Sequence, residues 1–355
     1  MTKQRLDRAR TIISEYNLDV MLFTDMKNVR YLTGFTGSDG AFMLTADDAC
    51  FMTDSRYTTQ ASSQVGCSVI EYGQKVPGIV EQIRKQASKG RVGLESQVVT
   101  LDFHREIEQA CGKSITLVPL ADSTRLRGIK DESEIDLIEK SAVISASSLE
   151  SIVDVIKPGA SEADVALALE IASRRNGSEV KAFDFIVASG ERGALPHGVA
   201  SNKQIEADEL ITIDFGSCYE GYFSDETVNF ALGDIPSKMS EIHDIVLEAH
   251  DRAIAAVAPG KSLREIDRVA RDFIAAKGYD KNFGHGLGHG VGLDVHEWPR
   301  VSPLSDAEAE PGMVFTIEPG IYIPGVGGVR IEDIVVVTET GCRCLTQLPK
   351  TLRLI

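Results

Sequence analysis

The segment Gly284-His285-Gly286-Leu287-Gly288-His289-Gly290-Val291-Gly292 places a glycine at every second position. A helix through it is disfavoured, because its five glycines, at about 1 kcal/mol each relative to alanine, cost roughly 5 kcal/mol. An extended segment suits it, with His285, Leu287 and His289 on one face and the glycines on the other. A face without side chains lets another backbone or a ligand approach closely. A phosphate loop does not fit, since the run lacks G-x-G-x-x-G spacing and no strand-to-helix junction follows it.

Two acid-bearing hairpins accompany this segment. Leu210-Ile211-Thr212-Ile213-Asp214-Phe215 alternates as a strand, Glu220-Gly221 marks a turn, and residues 222–230 form the return strand. With the turn centred on Tyr219 and Glu220, Asp214 stands directly opposite Asp225, their Cβ atoms about 4.5–5.5 Å apart. Aspartate is depleted in strands and like charges repel across them. A divalent cation removes both objections, and two cations about 3.5–4 Å apart suit this width. Taken alone, the pair is equally readable as two solvated aspartates. The second hairpin repeats the arrangement: 314–317 as a strand, turn residues at 324–328 and a return over 329–337, with Gly325 midway between Glu318 and Glu332. The repetition hints at an internally duplicated domain. Four carboxylates with one imidazole, His289, suit manganese, cobalt or zinc.

Further polar residues lie nearby in the chain. His197 precedes Asp214 by 17 residues, His296 follows His289 by seven, Tyr322 follows Glu318 by four, and Arg330 shares the face of Glu332 two residues on. A lone histidine is usually structural. Here His197, His285 and His296, three of the seven histidines, sit in or beside glycine-containing segments near the candidate ligands.

With 355 residues, 43 % of them hydrophobic, the chain can build two cores. Helix-like and strand-like stretches alternate through the first 120 or so residues, giving an α/β domain with a mixed sheet over 1–125 and a second domain over 126–355. In the second, residues 131–156 read as one long helix ended by Pro158-Gly159, Ser161 with Asp164 as a capping box, and 240–257 and 263–277 as helices. The net charge of −16 argues against nucleic-acid and anionic-membrane partners. No apolar run is long enough for a membrane span, and the first ten residues lack the apolar core of a secretory signal. The six cysteines, Cys50, Cys67, Cys111, Cys218, Cys342 and Cys344, show no zinc-site spacing and suit a reducing cytosol.

Together these motifs resemble the pita-bread metallopeptidases, and within them the Xaa-Pro peptidases, aminopeptidase P and prolidase. The matching text is Ser189-Gly190 through Leu195-Pro196-His197-Gly198, then Asp214-Phe215-Gly216, then Gly221-Tyr222-Phe223-Ser224-Asp225-Glu226-Thr227. It continues with His285-Gly286-Leu287-Gly288-His289, His296-Glu297, Glu318-Pro319-Gly320 and Arg330-Ile331-Glu332-Asp333. Tyr31-Leu32-Thr33-Gly34-Phe35 is similar to the creatinase-type N-terminal domain of these enzymes, so the resemblance spans essentially the whole chain.

The resemblance implies an α/β N-terminal domain followed by an α+β pita-bread domain with an internal pseudo-twofold. It implies a cytoplasmic homodimer that cleaves the bond before proline in peptides or dipeptides with two divalent ions, manganese first and cobalt or zinc as alternatives. Asp214 would chelate one ion, Asp225 and Glu332 would bridge both, and His289 and Glu318 would complete the second. His197, His285 and His296 would contact substrate or stabilise the tetrahedral intermediate, with Tyr322 and Arg330 as further substrate contacts. Two ions lower the pKa of a shared water so that hydroxide is available near neutral pH. Glu318 would shuttle the proton, and His296 and His197 would donate to the developing oxyanion. Arg300 suits the terminal carboxylate of a dipeptide, and is equally readable as a surface arginine. Val228 and Asn229 stand where the family usually has arginine and threonine, which puts one contact beside the metal site in doubt. The contrasting expectation is a non-catalytic binding module on the same scaffold, and all five ligands argue against it. Methionine aminopeptidases typically lack such an N-terminal domain, and creatinase lacks this full ligand set.

Overall fold

Val20–Phe23 is a short apolar run, and all of it is buried in the structure, a computed structural model that describes residues 3–355. The strand lies inside a six-stranded sheet, paired antiparallel with Ala41–Leu44 and parallel with Gly90–Glu95. Ala49–Thr53, Ser68–Glu71 and Ile115–Leu120 complete this mixed sheet. The sequence pattern did not suggest the helices Met26–Thr33 and Thr58–Gln64. The first starts where the Asp25 side chain accepts from Lys27 N and stops at Gly34, whose φ of +79° suits a left-handed cap. These elements form one compact unit ending at Arg127, and Gly128–Ile355 forms a second.

The second unit repeats one plan. Helices Glu132–Glu150 and Glu162–Arg175 share a core with a sheet ordered Arg353–Leu354, Glu226–Ala231, Leu210–Phe215 and Ile186–Ser189. Leu149, Val165 and Leu169 pack there with Ile211, Ile213 and Phe230. Helices Ser237–Ala256 and Leu263–Ala276 do the same with a sheet ordered Glu297–Val301, Gly288–Gly290, Val314–Ile317, Asp333–Val337 and Cys342–Cys344. Val246, Ile266 and Ala270 pack there with Phe315, Ile317 and Val335. Capping boxes at Asp131/Glu134 and Ser161/Asp164 start the first two helices.

Three elements differ from the sequence pattern. The helix expected over 131–156 stops at Glu150 and gives way to a 3-10 turn at Val153–Val155. Ser148 Oγ bonds the Ile144 carbonyl and Ser151 Oγ the Ser148 carbonyl, so hydroxyls compete for helix acceptors. Ile152, Val153, Val155 and Ile156 are β-branched and extend a helix poorly. The return strand 222–230 is split into Tyr222–Phe223 and Glu226–Ala231, and 329–337 into Gly327–Arg330 and Asp333–Val337. Each break holds a candidate ligand, Asp225 in one and Glu332 in the other.

Candidate metal centre

Asp214 pairs with Thr227 and not with Asp225. Tyr219 pairs with Tyr222, so the turn is Glu220-Gly221, one residue later than the sequence suggested. Both turn residues have positive φ, +45° and +76°, which matches the right-handed twist of a hairpin. Asp225 is therefore the diagonal neighbour of Asp214 on the same face, not its direct partner. In the second hairpin Ile317 pairs with Asp333 and Gly320 with Arg330, a register centred on Gly325. That register sets Glu318 against Glu332, although both lie in the gap between two ladders. The two hairpins meet where Glu332 N donates to the Thr227 carbonyl at 3.3 Å.

The glycine-rich segment supplies the imidazole. Only Gly288–Gly290 is a strand, held between Glu297–Val301 and Val314–Ile317. A Cβ on Gly288 would sit 1.8 Å from the Thr316 carbonyl oxygen, and one on Gly290 2.3 Å from that of Trp298. Glycine is thus required here for close backbone approach on both sides. His289 N donates to Thr316 Oγ1 at 3.1 Å. Its Nε2 faces Glu318 Oε1 at 3.3 Å and Asp225 Oδ2 at 3.7 Å.

Ligand atoms of Asp225, His289 and Glu332 lie within 4.8 Å of one another. Glu332 Oε2 accepts from Thr227 Oγ1 at 2.7 Å, and Glu318 Oε1 from Thr316 Oγ1 at 3.1 Å. Asp214 Oδ2 accepts from Arg330 Nη2 at 2.5 Å, while Asp214 Oδ1 is buried without a hydrogen-bond partner among the described residues. Burial, with the charges of Glu332 and Asp214, pushes the Asp225 carboxyl well above its usual range. Burial, with Glu318 and Asp214, does the same to Glu332, and burial raises Glu318. Burial also lowers His289, keeping the imidazole neutral with a free lone pair. So many buried acids around one guanidinium are short of positive charge. An orphaned carboxylate oxygen and a neutral imidazole are the donors a divalent cation takes.

The other expected residues surround this cluster unevenly. The His296 ring lies 4.1 Å from that of His289, and partial burial together with His289 pulls it down to about 4. His285 Nε2 is 3.0 Å from Tyr322 Oη. Arg300 pairs directly with His289 across the sheet, so the two side chains leave the same face, and Arg300 is exposed. His197 is exposed on the loop after the 3-10 turn Gly190–Ala194. Among the described residues its imidazole makes no hydrogen bond to the carboxylates, but the carbonyl of Pro196 beside it accepts from Arg330 Nη1 at 3.1 Å. Arg330, expected as a substrate contact, is buried beside the cluster. Its Nε also donates to Thr227 Oγ1 at 3.3 Å and its Nη1 to Tyr322 Oη at 3.0 Å, so all three nitrogens are engaged within the protein. The reason is its position on Gly327–Arg330, buried among acceptors from both halves.

Comparison with known proteins decides the family. The chain matches Metallopeptidase family M24 over residues 136–339 and the Creatinase/Prolidase N-terminal domain over residues 5–129. It belongs to metallopeptidase family M24. An Xaa-Pro dipeptidase of Pyrococcus furiosus is 38 % identical over 351 residues, which cover 99 % of each chain. An Xaa-Pro dipeptidase from Bacillus anthracis superposes with a TM-score of 0.95 at 39 % identity, covering 99 % of both chains. An X-Pro aminopeptidase from Thermotoga maritima gives 0.88 at 39 % identity, covering 96 % of this chain and 98 % of the other. The two-half unit is thus the pita-bread domain of an M24 hydrolase that works with divalent metal ions, and the first unit is its creatinase-type domain.

Where this M24 chain departs from the family pattern, the structure supplies a contact. Asn229 Oδ1 accepts from Thr212 Oγ1, and its Nδ2 donates to the Arg330 carbonyl, both at 2.8 Å. Val228 is buried in the core of its half. The sequence pattern missed Thr316, whose hydroxyl holds Glu318, and gave Thr227, quoted in the motif, no bond to Glu332. Thr316 lies two residues before Glu318, on the same strand face, and that spacing was the available signal.

Proposed function

We propose that this M24 peptidase hydrolyses the peptide bond before proline, in Xaa-Pro dipeptides or at the N-terminus of longer peptides, with two divalent ions held by Asp214, Asp225, His289, Glu318 and Glu332. The observation that carries this is the convergence of Asp225, His289 and Glu332 ligand atoms within 4.8 Å, beside the unpartnered Asp214 Oδ1. The names of the relatives from Pyrococcus furiosus, Bacillus anthracis and Thermotoga maritima support the proline specificity.

When bound, the ions supply Lewis acidity for the scissile carbonyl and lower the pKa of water toward neutrality. Glu318, held by Thr316 at the edge of the cluster, is placed to take a proton from the attacking water and pass it to the leaving nitrogen. His296 stays neutral beside His289 and offers an N–H to the developing oxyanion, with His197 as the second donor. His285 and Tyr322, joined at 3.0 Å, both lie within reach of the Glu318 charge. Arg330 orients Asp214 and leaves recognition to others. A bond before proline lacks an N–H, so recognition rests on the ring and the peptide termini. Arg300 receives the carboxylate of a dipeptide in a charge-assisted bond.

Manganese is the working ion in this reading, since four carboxylates and one imidazole suit it, with cobalt and zinc as competitors. The protein works as a cytoplasmic homodimer. Six free cysteines suit a reducing compartment, and among the described residues no helix is long and apolar enough to cross a membrane. The test is a length series of Xaa-Pro peptides assayed with manganese, cobalt and zinc, beside matched Xaa-Ala peptides. Cleavage before proline is expected. No hydrolysis with any ion, or equal cleavage of Xaa-Ala, would sink the proposal, and light scattering at the mass of a single chain would remove the dimer.

A further inference from the structure

Residues 345–350 cross behind the carboxylate cluster. Leu345 N donates to the Ile334 carbonyl at 2.8 Å, and Ile334 N to Thr346 Oγ1 at 3.1 Å. Thr346 Oγ1 bonds Asp333 Oδ1, and Leu348 N donates to Glu226 Oε1 at 3.1 Å. The Lys350 side chain is then buried between two buried acids, its Nζ 2.5 Å from Glu226 Oε1 and 3.1 Å from Asp333 Oδ1. Past it, Arg353–Leu354 pairs parallel with Phe230 and Ala231, which anchors the segment.

The placement of those two acids matters. Glu226 immediately follows Asp225, and Asp333 immediately follows Glu332. Successive residues of an extended chain point to opposite sides, so each ligand faces the centre and each following acid faces away from it. The strands Glu226–Ala231 and Asp333–Val337 belong to different sheets. Near the centre they are joined by the isolated bridge of Thr227 to Glu332. Lys350 adds a second tie on the opposite side. His250 Nε2 lies 3.2 Å from Asp333 Oδ2, and among the described residues Lys350 is the side chain paired with both acids.

We propose that Lys350 is a positioning residue of the metal centre, its ammonium clasping Glu226 and Asp333 and so fixing the separation of Asp225 and Glu332. The proposal rests on the two-ion reading above. Its rival is that Lys350 only neutralises buried charge. The two differ once charge is balanced another way. The double variant Lys350→Met/Glu226→Gln removes one charge of each sign and keeps an acceptor for Leu348 N.

The experiment titrates metal-free wild type, Lys350→Met, the double variant and Lys350→Arg with manganese by calorimetry, and records the visible spectrum of each cobalt-loaded form. Circular dichroism reports folding. Wild type should take up two equivalents. The double variant should fold yet bind the second equivalent about tenfold or more weakly, in the range seen when groups behind metal ligands are removed. Its cobalt spectrum should shift, and kcat should fall more than KM rises. Lys350→Arg, which still spans both acids, should recover part of the affinity. Wild-type affinity and spectrum in the double variant would overturn the proposal, and so would failure of the double variant to fold, which would make Lys350 a general requirement of the core. Fewer than two equivalents in wild type would instead overturn the two-ion reading, and the proposal with it.

Discussion

Arg330 Nη2 lies 2.5 Å from Asp214 Oδ2, and the other oxygen of that carboxylate is buried with nothing to accept from. The guanidinium holds one oxygen of the aspartate and leaves the other uncommitted among the described residues. It does so while also bonding Thr227, Pro196 and Tyr322, which a planar fork can reach and an ammonium cannot. Arg330→Lys keeps the charge and loses the fork. We expect kcat/KM on an Xaa-Pro substrate to fall about 10–100-fold, the equivalent of losing about 1.5–3 kcal/mol of charge-assisted hydrogen bonding. Steady-state kinetics beside a thermal melt checks this, and unchanged kcat/KM would contradict it.

Asp225→Asn tests the ligand set. Burial and the neighbouring acids hold Asp225 in an unfavourable environment when no cation compensates it. The metal-free variant should therefore melt no lower than metal-free wild type. Manganese at a hundredfold excess over its dissociation constant should stabilise wild type by about 2.7 kcal/mol per bound ion and the variant by far less. Turnover should be lost. Near-normal activity in the variant would show that the ligands are assigned wrongly.

Gly288→Ala tests the glycine run. The added methyl would lie 1.8 Å from a backbone oxygen, which cannot rotate away. The strands must separate, and His289 moves with them. A loss of about 1–3 kcal/mol is expected in denaturant unfolding, the usual cost of overpacking, with weaker metal uptake. An unaltered unfolding midpoint would count against a tight strand approach at this position.

Arg300→Ala addresses substrate length. Arg300 leaves the same sheet face as His289. If it holds a dipeptide's carboxylate, the substitution should impair Xaa-Pro cleavage about tenfold more than Xaa-Pro-Xaa cleavage, the worth of about one charge-assisted bond. Equal losses on both substrates would return Arg300 to the plain surface.

His243 predicts an acid sensitivity. It is buried on Ser237–Ala256 with an unpartnered Nε2, and burial lowers its pKa from the ordinary 6.5. The unfolded chain then takes up a proton at a pH where the folded protein does not. This contribution is present in full above the ordinary histidine value and is lost as pH falls through the window below it. Urea midpoints should drop between about pH 7.5 and about pH 5.5, and His243→Phe should flatten that slope by up to about 1.4 kcal/mol per pH unit. Identical slopes for the two proteins would refute it.

Much of the centre could be read from the chain because its rules are local. Alternating glycines announce backbone approach, and Gly325 marks a hairpin midpoint. The Asp214–Asp225 register went wrong by one turn position because Glu220 adopts φ +45°, a conformation few residues other than glycine and asparagine favour. The breaks at Asp225 and Glu332 were hidden for a different reason. They accompany a bridge between Thr227 and Glu332, residues far apart in sequence. Nothing in the sequence around Arg330 names Pro196 or Asp214 as its partners. Helix Met26–Thr33 is too short for a periodic signal, and Glu150 ends a helix whose apolar pattern continues past it.

The repeated plan of the second unit has a mechanical consequence. Asp214 and Asp225 come from the half built on one helix-backed sheet, and His289, Glu318 and Glu332 from the half built on the other. The centre is therefore a seam, and its electrostatics act as a strain gauge on that seam. Crowding is resisted by the acids themselves. The cluster of Asp225, His289 and Glu332 draws on both halves, so its geometry depends on how they pack together.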